Sequence, residues 1–143
     1  MSKPLDAEAQ SVLDTAHLIH DAGSVDASCK QLADALAAEL RGRNPVILPL
    51  MLGGLYAATQ ITRHFDFPFE LDVLQATRYH NATQGSDLLW KVMPSIDLHN
   101  RVVLVIDDIL DHGHTLKAVE EDLRAQEPEA LLVAVLVEKN TPS

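Results

Sequence analysis

Apolar residues form two kinds of pattern along the chain, and the two kinds predict different elements. Three segments are almost uninterruptedly apolar: 46–52, 102–106 and 130–137. Three further segments have apolar residues spaced three and four positions apart: 25–40, 55–65 and 115–124. The first kind predicts strands that are buried on both faces, and the second predicts helices with one buried face. Because the two kinds alternate, the predicted fold class is α/β, with a mostly parallel central sheet flanked by helices.

Some segments depart from this alternation. Residues 69–74 alternate apolar and acidic, 78–87 are polar without any period, and 88–93 are apolar up to Pro94. This order predicts a β-hairpin arm, in which two strands flank a flexible loop of about ten residues, a length typical of active-site lids. The first 23 residues fit a helix or a short strand over 16–20, and Gly23-Ser24 predicts a break before the helix that Gly42 ends.

Carboxylates follow the apolar segment 102–106 directly. Asp107 and Asp108 are adjacent, Asp111 comes three residues later, and Gly113 precedes Thr115, which we expect to be the N-cap of the next helix. The order is therefore strand, acidic loop and helix. In open α/β sheets, ligands bind at the carboxyl ends of the strands, so this loop is the candidate site.

The loop has the groups that a phosphorylated sugar would need. Backbone N–H groups from His112 to Thr115, together with the helix N-terminus, predict an anion cradle. Asp107 and Asp108 lie just upstream, where they can meet sugar hydroxyls or a Mg²⁺ ion beside the phosphate. The alternative is a plain turn whose acids are solvated. A zinc cluster of Asp111, His112 and His114 is disfavoured, because closed zinc sites usually take four ligands at wider spacing.

A second candidate anion site lies at Gly53-Gly54, which separates the segment 46–52 from the following helix. Backbone amides of such a turn can meet an anion, although the same pattern fits an ordinary tight turn. Pro49 cannot donate a hydrogen bond, so it predicts an interrupted strand or one that lies at an edge. The glycine patterns of Walker-type and dinucleotide-binding loops are absent from the sequence.

Composition narrows the class of protein. A length of 143 residues fits one domain, 1–143. The net charge of −10 argues against nucleic acid as the main partner, since phosphate backbones require clustered Lys and Arg. Cys29 is the only cysteine, which predicts a buried core residue in a reducing compartment. No apolar run reaches about 20 residues, so we expect no membrane partner.

The segment 103–116 resembles the phosphoribosyl-pyrophosphate motif of type I phosphoribosyltransferases: an apolar strand, two acids, two apolar residues, a variable residue, and a glycine-containing turn that ends in Thr115. The variable residue, Asp111, is similar to that of the hypoxanthine-guanine branch. Gly53-Gly54 resembles its pyrophosphate loop, and the segment from Arg78 to Asp87 resembles its flexible catalytic loop. The segment 136–142 is similar to the one after its next strand, so the resemblance covers roughly 45–143.

The resemblance implies a Mg²⁺-dependent enzyme of purine salvage in the cytoplasm. It would transfer the 5-phosphoribosyl group of phosphoribosyl pyrophosphate to hypoxanthine or guanine, forming IMP or GMP and pyrophosphate. It also implies a homodimer or homotetramer. Phosphoribosyltransferases for xanthine, adenine or uracil are the alternatives within enzymes. A nucleotide-sensing regulator on the same fold is the alternative outside them, and the acidic charge disfavours an RNA-binding one. A receiver-type signalling domain fits less well, because its acid pair follows its first strand.

The resemblance also implies a role for each residue of the site. Asp107 and Asp108 would hold the ribose hydroxyls and Mg²⁺, and Asp111 would handle the proton of purine N7. The 5-phosphate would be cradled by four consecutive residues: His112, Gly113, His114 and Thr115. Ile109 would be an apolar wall for the base, and Tyr79 would help to exclude water. The leaving pyrophosphate would meet Gly53, Gly54 and Arg78.

Two differences from the family pattern are visible. Leu52 stands where many relatives have a lysine before the glycine pair, which removes one positive contact to pyrophosphate. Relatives also continue with a lysine, an aromatic residue and an acid that complete the purine and metal sites. We therefore expect 1–143 to be a phosphoribosyltransferase-like domain that lacks its C-terminal segment.

Overall fold

The computed structural model describes residues 6–81, 85–110 and 113–139. The elements are, in chain order, α1 Ala7–Thr15, α2 Ala22–Leu40, β1 Val46–Pro49, α3 Gly54–Thr62, β2 Glu70–Leu71, β3 Gln75–Asn81, β4 Gly85–Val92, β5 Val102–Leu110, α4 His114–Arg124 and β6 Ala130–Glu138. Four strands form a parallel sheet in the order β2-β1-β5-β6, and β3 and β4 form a separate antiparallel hairpin. The predicted α/β fold with a hairpin arm is confirmed.

The sheet has an apolar cluster on each face, because alternate residues of a buried strand point to opposite sides. On one face, α2 and α3 pack against Ile47, Leu104 and Ile106. On the other face, α4 and the hairpin pack against Leu48 and Val105. The two strands that carry these residues, β1 and β5, are the central pair, so their carboxyl ends are fixed by packing on both sides.

β1 and β5 are joined up to the point where ligand loops begin. Pro49 pairs with Ile106, and the Leu50 N–H then donates to the Ile106 carbonyl at 2.8 Å. β1 ends at Pro49 rather than continuing to Leu52, because the chain turns there into α3. Pro49 therefore marks the end of an inner strand, and the alternative of an edge strand is wrong.

The hairpin differs from the prediction in its boundaries. β3 begins at Gln75 and pairs with β4 as far as Asn81 opposite Gly85. The first strand of the hairpin is therefore 75–81 and not 69–74, and most of the predicted loop over 78–87 is strand. Polar side chains without a period are compatible with this, since the ladder of a two-stranded hairpin depends on backbone groups and neither face needs to be wholly apolar.

Two helix starts also differ from the prediction. α2 begins at Ala22 and runs through Gly23-Ser24, because the Asp21 carboxylate accepts a hydrogen bond from the Ser24 N–H at 2.7 Å and caps the helix. The residues 16–20 form no strand. The N-cap of α4 is Gly113 and not Thr115. Gly113 has a φ of 73°, which allows the sharp turn from β5 into the helix.

The strand β6 is less buried than its composition predicts. It lies at one edge of the sheet, and Ala134 is its one buried residue. The prediction of a fully buried strand at 130–137 is therefore wrong for the described part of the chain. An edge strand has a neighbouring strand on one side only, so its apolar side chains stay partly exposed even where a helix covers one face.

Candidate active site

The paired carboxylates lie inside a strand and not in the loop after it. β5 continues through Asp107 and Asp108 to Leu110, and Asp107 pairs with Val135 while Ile109 pairs with Val137 of β6. Both acids are half-buried. Because the ladder fixes their backbone, the direction of the two side chains is set before any ligand arrives.

Asp107 titrates far from its ordinary range. Burial raises the pKa of Asp107 to about 6; the hydrogen bond from the Asp108 N–H lowers it, and the neighbouring Asp108 carboxylate raises it. The Asp107 carboxylate accepts that hydrogen bond from the Asp108 N–H at 2.8 Å. A site that holds two such carboxylates together favours a cation or several hydrogen-bond donors as its ligand.

The turn at Gly53-Gly54 lies directly against this pair. A β-carbon on Gly53 would be 2.7 Å from an Asp108 carboxylate oxygen, and one on Gly54 would be 2.3 Å from the Ile106 carbonyl oxygen. Both distances are shorter than real contacts, so a larger residue at Gly53 would displace the Asp108 side chain, and one at Gly54 would meet backbone that cannot move aside. The sequence analysis gave both amides to a leaving anion, and for Gly54 this is wrong, because its N–H donates to the Leu50 carbonyl at 2.8 Å.

The first turn of α4 faces the carboxylates from the other side. Gly113, in the left-handed conformation, is followed by His114 and Thr115, which open the helix. The first N–H groups of a helix have no acceptor within it, and the helix dipole adds partial positive charge there. Such a terminus binds phosphate groups well.

These parts enclose one open cavity of about 450 Å³. Its lining comprises Arg78, Asp107, Asp108, Ile109, Leu110, Gly113, His114, Thr115 and Leu116. Arg78 reaches it from the hairpin, so a cation from β3 meets acids from β5 and the N-terminus of α4. The arrangement can hold a ligand that has anionic groups at two ends and hydroxyl groups between them.

Most of the site residues predicted from the sequence meet in this cavity. Gly53 and Gly54 lie behind Asp108 and do not line it. Asp111 and His112 lie outside the described residues, as does the side chain of Tyr79. The sequence analysis missed Leu110 and Leu116, which form apolar parts of the lining. The signal for Leu110 was the continuation of the strand pattern past the acids, and the signal for Leu116 was its position on the apolar face of the following helix.

The part of the chain that the structure describes contains neither a cluster of three possible metal ligands nor a helix that could cross a membrane. Among residues 6–81, 85–110 and 113–139, no three His, Cys, Asp or Glu side chains are placed to hold a metal ion. Within these ranges, Asp107 and Asp108 offer two carboxylates to a metal ion. No helix in these ranges has the length and apolar character that crossing a bilayer requires.

Comparison with known proteins identifies the family. The sequence model of the phosphoribosyl transferase domain matches residues 17–142. The chain belongs to the phosphoribosyl transferase domain family. This confirms the resemblance that the motif at 103–116 predicted, and it places the carboxylate cavity in the part of the chain that the family shares.

Relatives agree at the level of sequence. The chain is 27% identical over 121 residues to the hypoxanthine-guanine phosphoribosyltransferase of Streptococcus pneumoniae (strain ATCC BAA-255 / R6). The aligned residues cover 84% of this chain and 66% of that protein. It is 29% identical over 112 residues to the enzyme of the same name from Streptococcus agalactiae serotype V, covering 77% and 62%. The chain thus spans about two thirds of the length of the curated relatives it matches, or somewhat less.

Solved structures agree at the level of the fold. A hypoxanthine phosphoribosyltransferase from Staphylococcus aureus superposes with a TM-score of 0.83 at 21% identity, covering 94% of this chain and 73% of that one. A purine phosphoribosyltransferase from Pyrococcus horikoshii superposes with a TM-score of 0.68 at 25% identity, covering 83% and 75%. The central sheet, its flanking helices and the chain order are therefore those of the family.

Proposed function

We propose that this protein transfers the 5-phosphoribosyl group of phosphoribosyl pyrophosphate to hypoxanthine or guanine, releasing pyrophosphate. The observation that carries the proposal is the meeting of Asp107 and Asp108 with the N-terminus of α4 and with Arg78 around one cavity. The substrate has a phosphate at one end, a pyrophosphate at the other and two hydroxyls between them, which is the order of these groups. The names of the relatives support hypoxanthine and guanine as the acceptors.

The sugar-phosphate half of the substrate fits the described residues. The 5-phosphate would accept hydrogen bonds from the first N–H groups of α4 and from the Thr115 hydroxyl. The ribose 2- and 3-hydroxyls would donate to Asp107 and Asp108. The same carboxylates place negative charge near the anomeric carbon, where positive charge develops as its bond to pyrophosphate breaks.

The leaving group would move towards the hairpin. Arg78 offers a fork of N–H donors that matches pyrophosphate oxygens, and it carries full positive charge at any physiological pH. Many relatives would have a second cation, a lysine, at the position of Leu52. Among the described residues, Arg78 is therefore the cation that we assign to the pyrophosphate side of the cavity. The hairpin would also help to exclude water, which otherwise competes with the base for the anomeric carbon. We assign Tyr79 to this exclusion and Gly53 to an amide contact.

The base would lie over Ile109, whose side chain is 44% exposed and lines the cavity. A ring nitrogen of the purine forms the new bond to the anomeric carbon while the bond to pyrophosphate breaks. The base then has one proton too many, and we propose that Asp111 lies near N7 and accepts it. His112 would add a further amide to the phosphate cradle.

Magnesium fits the acids of this site. Asp107 and Asp108 are adjacent, half-buried and mutually repulsive, and a hard divalent cation that prefers oxygen ligands would relieve the repulsion. When bound, Mg²⁺ would neutralise charge on the pyrophosphate. Since the described residues offer two carboxylates, the substrate's own oxygens would complete its coordination. We propose that Asp107 and Asp108 are its protein ligands.

The test is an assay for nucleotide formation from phosphoribosyl pyrophosphate with a panel of bases: hypoxanthine, guanine, xanthine, adenine and uracil. We expect IMP and GMP, and loss of both when a chelator removes Mg²⁺. Xanthine, adenine or uracil as the preferred base would correct the specificity and keep the reaction. If none of the bases gives a nucleotide, the proposal is contradicted, whether or not the protein binds phosphoribosyl pyrophosphate.

The proposal extends to assembly and location. We propose a homodimer or homotetramer in the cytoplasm, where the reaction would belong to purine salvage. Light scattering at assay concentration tests the first part, and a monomer under conditions of full activity would contradict it. Cell fractionation tests the second part.

A further inference from the structure

The hairpin β3–β4 brings Arg78 to the carboxylate cavity although it shares no ladder with the central sheet. Leu74, the residue before β3, is tied to the β1 segment, since its N–H donates to the Pro49 carbonyl at 3.3 Å and its carbonyl accepts from the Met51 N–H at 2.8 Å. Beyond Leu74 the arm has no ladder with β1 or β5. Its position relative to Asp107 must instead come from its two ends and from side chains on its flank. Both kinds of contact are visible among the described residues.

At the base of the hairpin, one carboxylate joins both ends. Asp72 accepts a hydrogen bond from the Val73 N–H at 2.8 Å with one oxygen, and from the Ser95 and Ile96 N–H groups at 2.7 and 3.0 Å with the other. Burial acts to raise the pKa of Asp72, but these three bonds outweigh it and lower the pKa. The base is thus a firm pivot, which leaves the direction of the arm to its flank.

On the flank, a side-chain hydrogen bond between described residues anchors the hairpin to α4. The Trp90 indole N–H donates to the Asp122 carboxylate, with 2.7 Å between nitrogen and oxygen. A charged acceptor makes this bond stronger than one between neutral groups. The Trp90 ring also packs, with Leu88, against the apolar cluster beneath α4. The bond therefore fixes how far the arm leans towards the helix.

Arg78 lies on the face of the hairpin that this anchor holds. Trp90 pairs with Ala76 across the hairpin, and Leu88 pairs with Arg78. Alternate residues of a strand share a face, so these four side chains point the same way, towards α4. Arg78 and Leu88 also line, with His114 and Lys117, the space between the hairpin and α4.

We propose that Trp90 and Asp122 are positioning residues, whose hydrogen bond holds the hairpin on α4 and thereby keeps Arg78 at the pyrophosphate side of the cavity. The inference rests on the proposed function, since it assigns a ligand contact to Arg78. Because α4 offers its N-terminus to the 5-phosphate, the anchor joins the groups that meet the two ends of the substrate into one unit. Neither Trp90 nor Asp122 touches the ligand.

The experiment compares two ligands by titration calorimetry. Mg²⁺ with phosphoribosyl pyrophosphate uses both ends of the site, whereas IMP has no pyrophosphate and uses only the α4 end. For Trp90→Phe and Asp122→Ala we expect binding of phosphoribosyl pyrophosphate to weaken by about tenfold or more, the scale of one hydrogen bond to a charged group, and IMP binding to stay within about twofold of wild type. The double variant should lose no more than either single one, because both act through one bond.

Three controls separate positioning from folding. Asp122→Asn keeps an acceptor oxygen and should recover most of the affinity that Asp122→Ala loses. Glu120→Ala removes a charge from the same helix and should leave both affinities unchanged. Since Trp90 is the only tryptophan, the emission spectrum should shift in Asp122→Ala and return towards wild type in Asp122→Asn.

The outcomes distinguish this inference from the proposed function. Equal weakening of both ligands, additive losses in the double variant, or wild-type affinity in Asp122→Ala would overturn the inference while the proposed function stands. A wild-type protein that binds neither ligand would overturn both. Trp90→Phe keeps the ring that packs on the core, so the inference can still be decided if Asp122→Ala does not fold.

Discussion

The Asp108 carboxylate lies against the backbone of Gly53, with its oxygen 2.7 Å from the point where a β-carbon would begin. The Asp108 side chain from β5 thus occupies the space that a side chain at position 53 would need. The relationship explains why a glycine pair follows β1 and why the pair lies beside the acids rather than elsewhere along the turn.

The glycine pair gives a graded prediction. In Gly53→Ala the new methyl group meets a side chain that can rotate, so we expect the protein to fold while phosphoribosyl-pyrophosphate binding weakens at least tenfold. In Gly54→Ala it meets the Ile106 carbonyl at 2.3 Å, and backbone cannot give way, so the free energy of unfolding should fall by about 2 kcal/mol or more. Thermal melts and calorimetry measure the two effects.

Gly23→Ala is the matched control for that pair. Gly23 lies in α2, where the nearest neighbour to a new β-carbon is 3.6 Å away. Alanine favours helix over glycine by up to about 1 kcal/mol, so this variant should be as stable as wild type or more stable. Equal stability of all three variants would contradict the steric role of Gly54.

Gly113 and Gly42 separate backbone strain from a loss at the phosphate site. Both have a left-handed φ, of 73° and 79°. A β-carbon on Gly113 would also lie 3.0 Å from Leu110, whereas one on Gly42 would meet nothing within 4 Å. Each alanine variant should lose about 1 kcal/mol of stability from strain. We expect only Gly113→Ala to weaken ligand binding; a similar loss of binding in Gly42→Ala would contradict the assignment of the α4 turn to the phosphate.

Asp107 predicts a pH dependence in the metal-free protein. Its folded pKa, raised to about 6, exceeds the value of about 3.9 in an unfolded chain, so the folded state binds more protons between these values. The contribution to stability is therefore full below about pH 4 and is lost as the pH rises through 6. Asp107→Asn should remove this pH-dependent contribution, and the variant should be more stable than wild type by about 1 kcal/mol above pH 7. Denaturant unfolding in a chelator, at pH 4 and 7.5, measures it, and a constant difference between the two proteins would contradict the assignment.

Asp111 gives a prediction about proton transfer from the purine. If Asp111 accepts the purine proton, Asp111→Asn should lower kcat far more than it weakens phosphoribosyl-pyrophosphate binding. The amide side chain has the same shape as the carboxylate but cannot accept the proton. Steady-state kinetics with hypoxanthine, beside calorimetry, separates the two. Equal losses would indicate a structural role.

The residues that the sequence identified best are those whose chemistry and spacing depend on local order. The acids at 107 and 108, Gly113 and Thr115 follow a buried strand within a few residues, so their meeting needed no tertiary information. Their exact setting was predicted less well. β5 continues through the acids because β6 pairs with it there, and a partner strand leaves no sign in the sequence of its neighbour.

The hairpin shows why other parts could not be predicted. Its first strand, 75–81, is polar and lacks the apolar period on which strand prediction depends, whereas the apolar part of the second strand, 88–92, was predicted. The Trp90–Asp122 bond joins residues of two elements that no local pattern connects. Gly53 and Asp108 likewise come from distant positions, and only the parallel pairing of β1 with β5 brings them into contact.

The hydrogen bond from Leu50 to Ile106 has a consequence for how the protein reaches its folded state. It closes a long loop of chain, and parallel pairing of distant strands is entropically costly and slow to form. Helices such as α2 and α4 can form from nearby residues before this closure. The turn at Gly53-Gly54 and the acids Asp107 and Asp108 therefore come together only through this closure, so a chain in which it has not formed has the acids without the turn that packs against them.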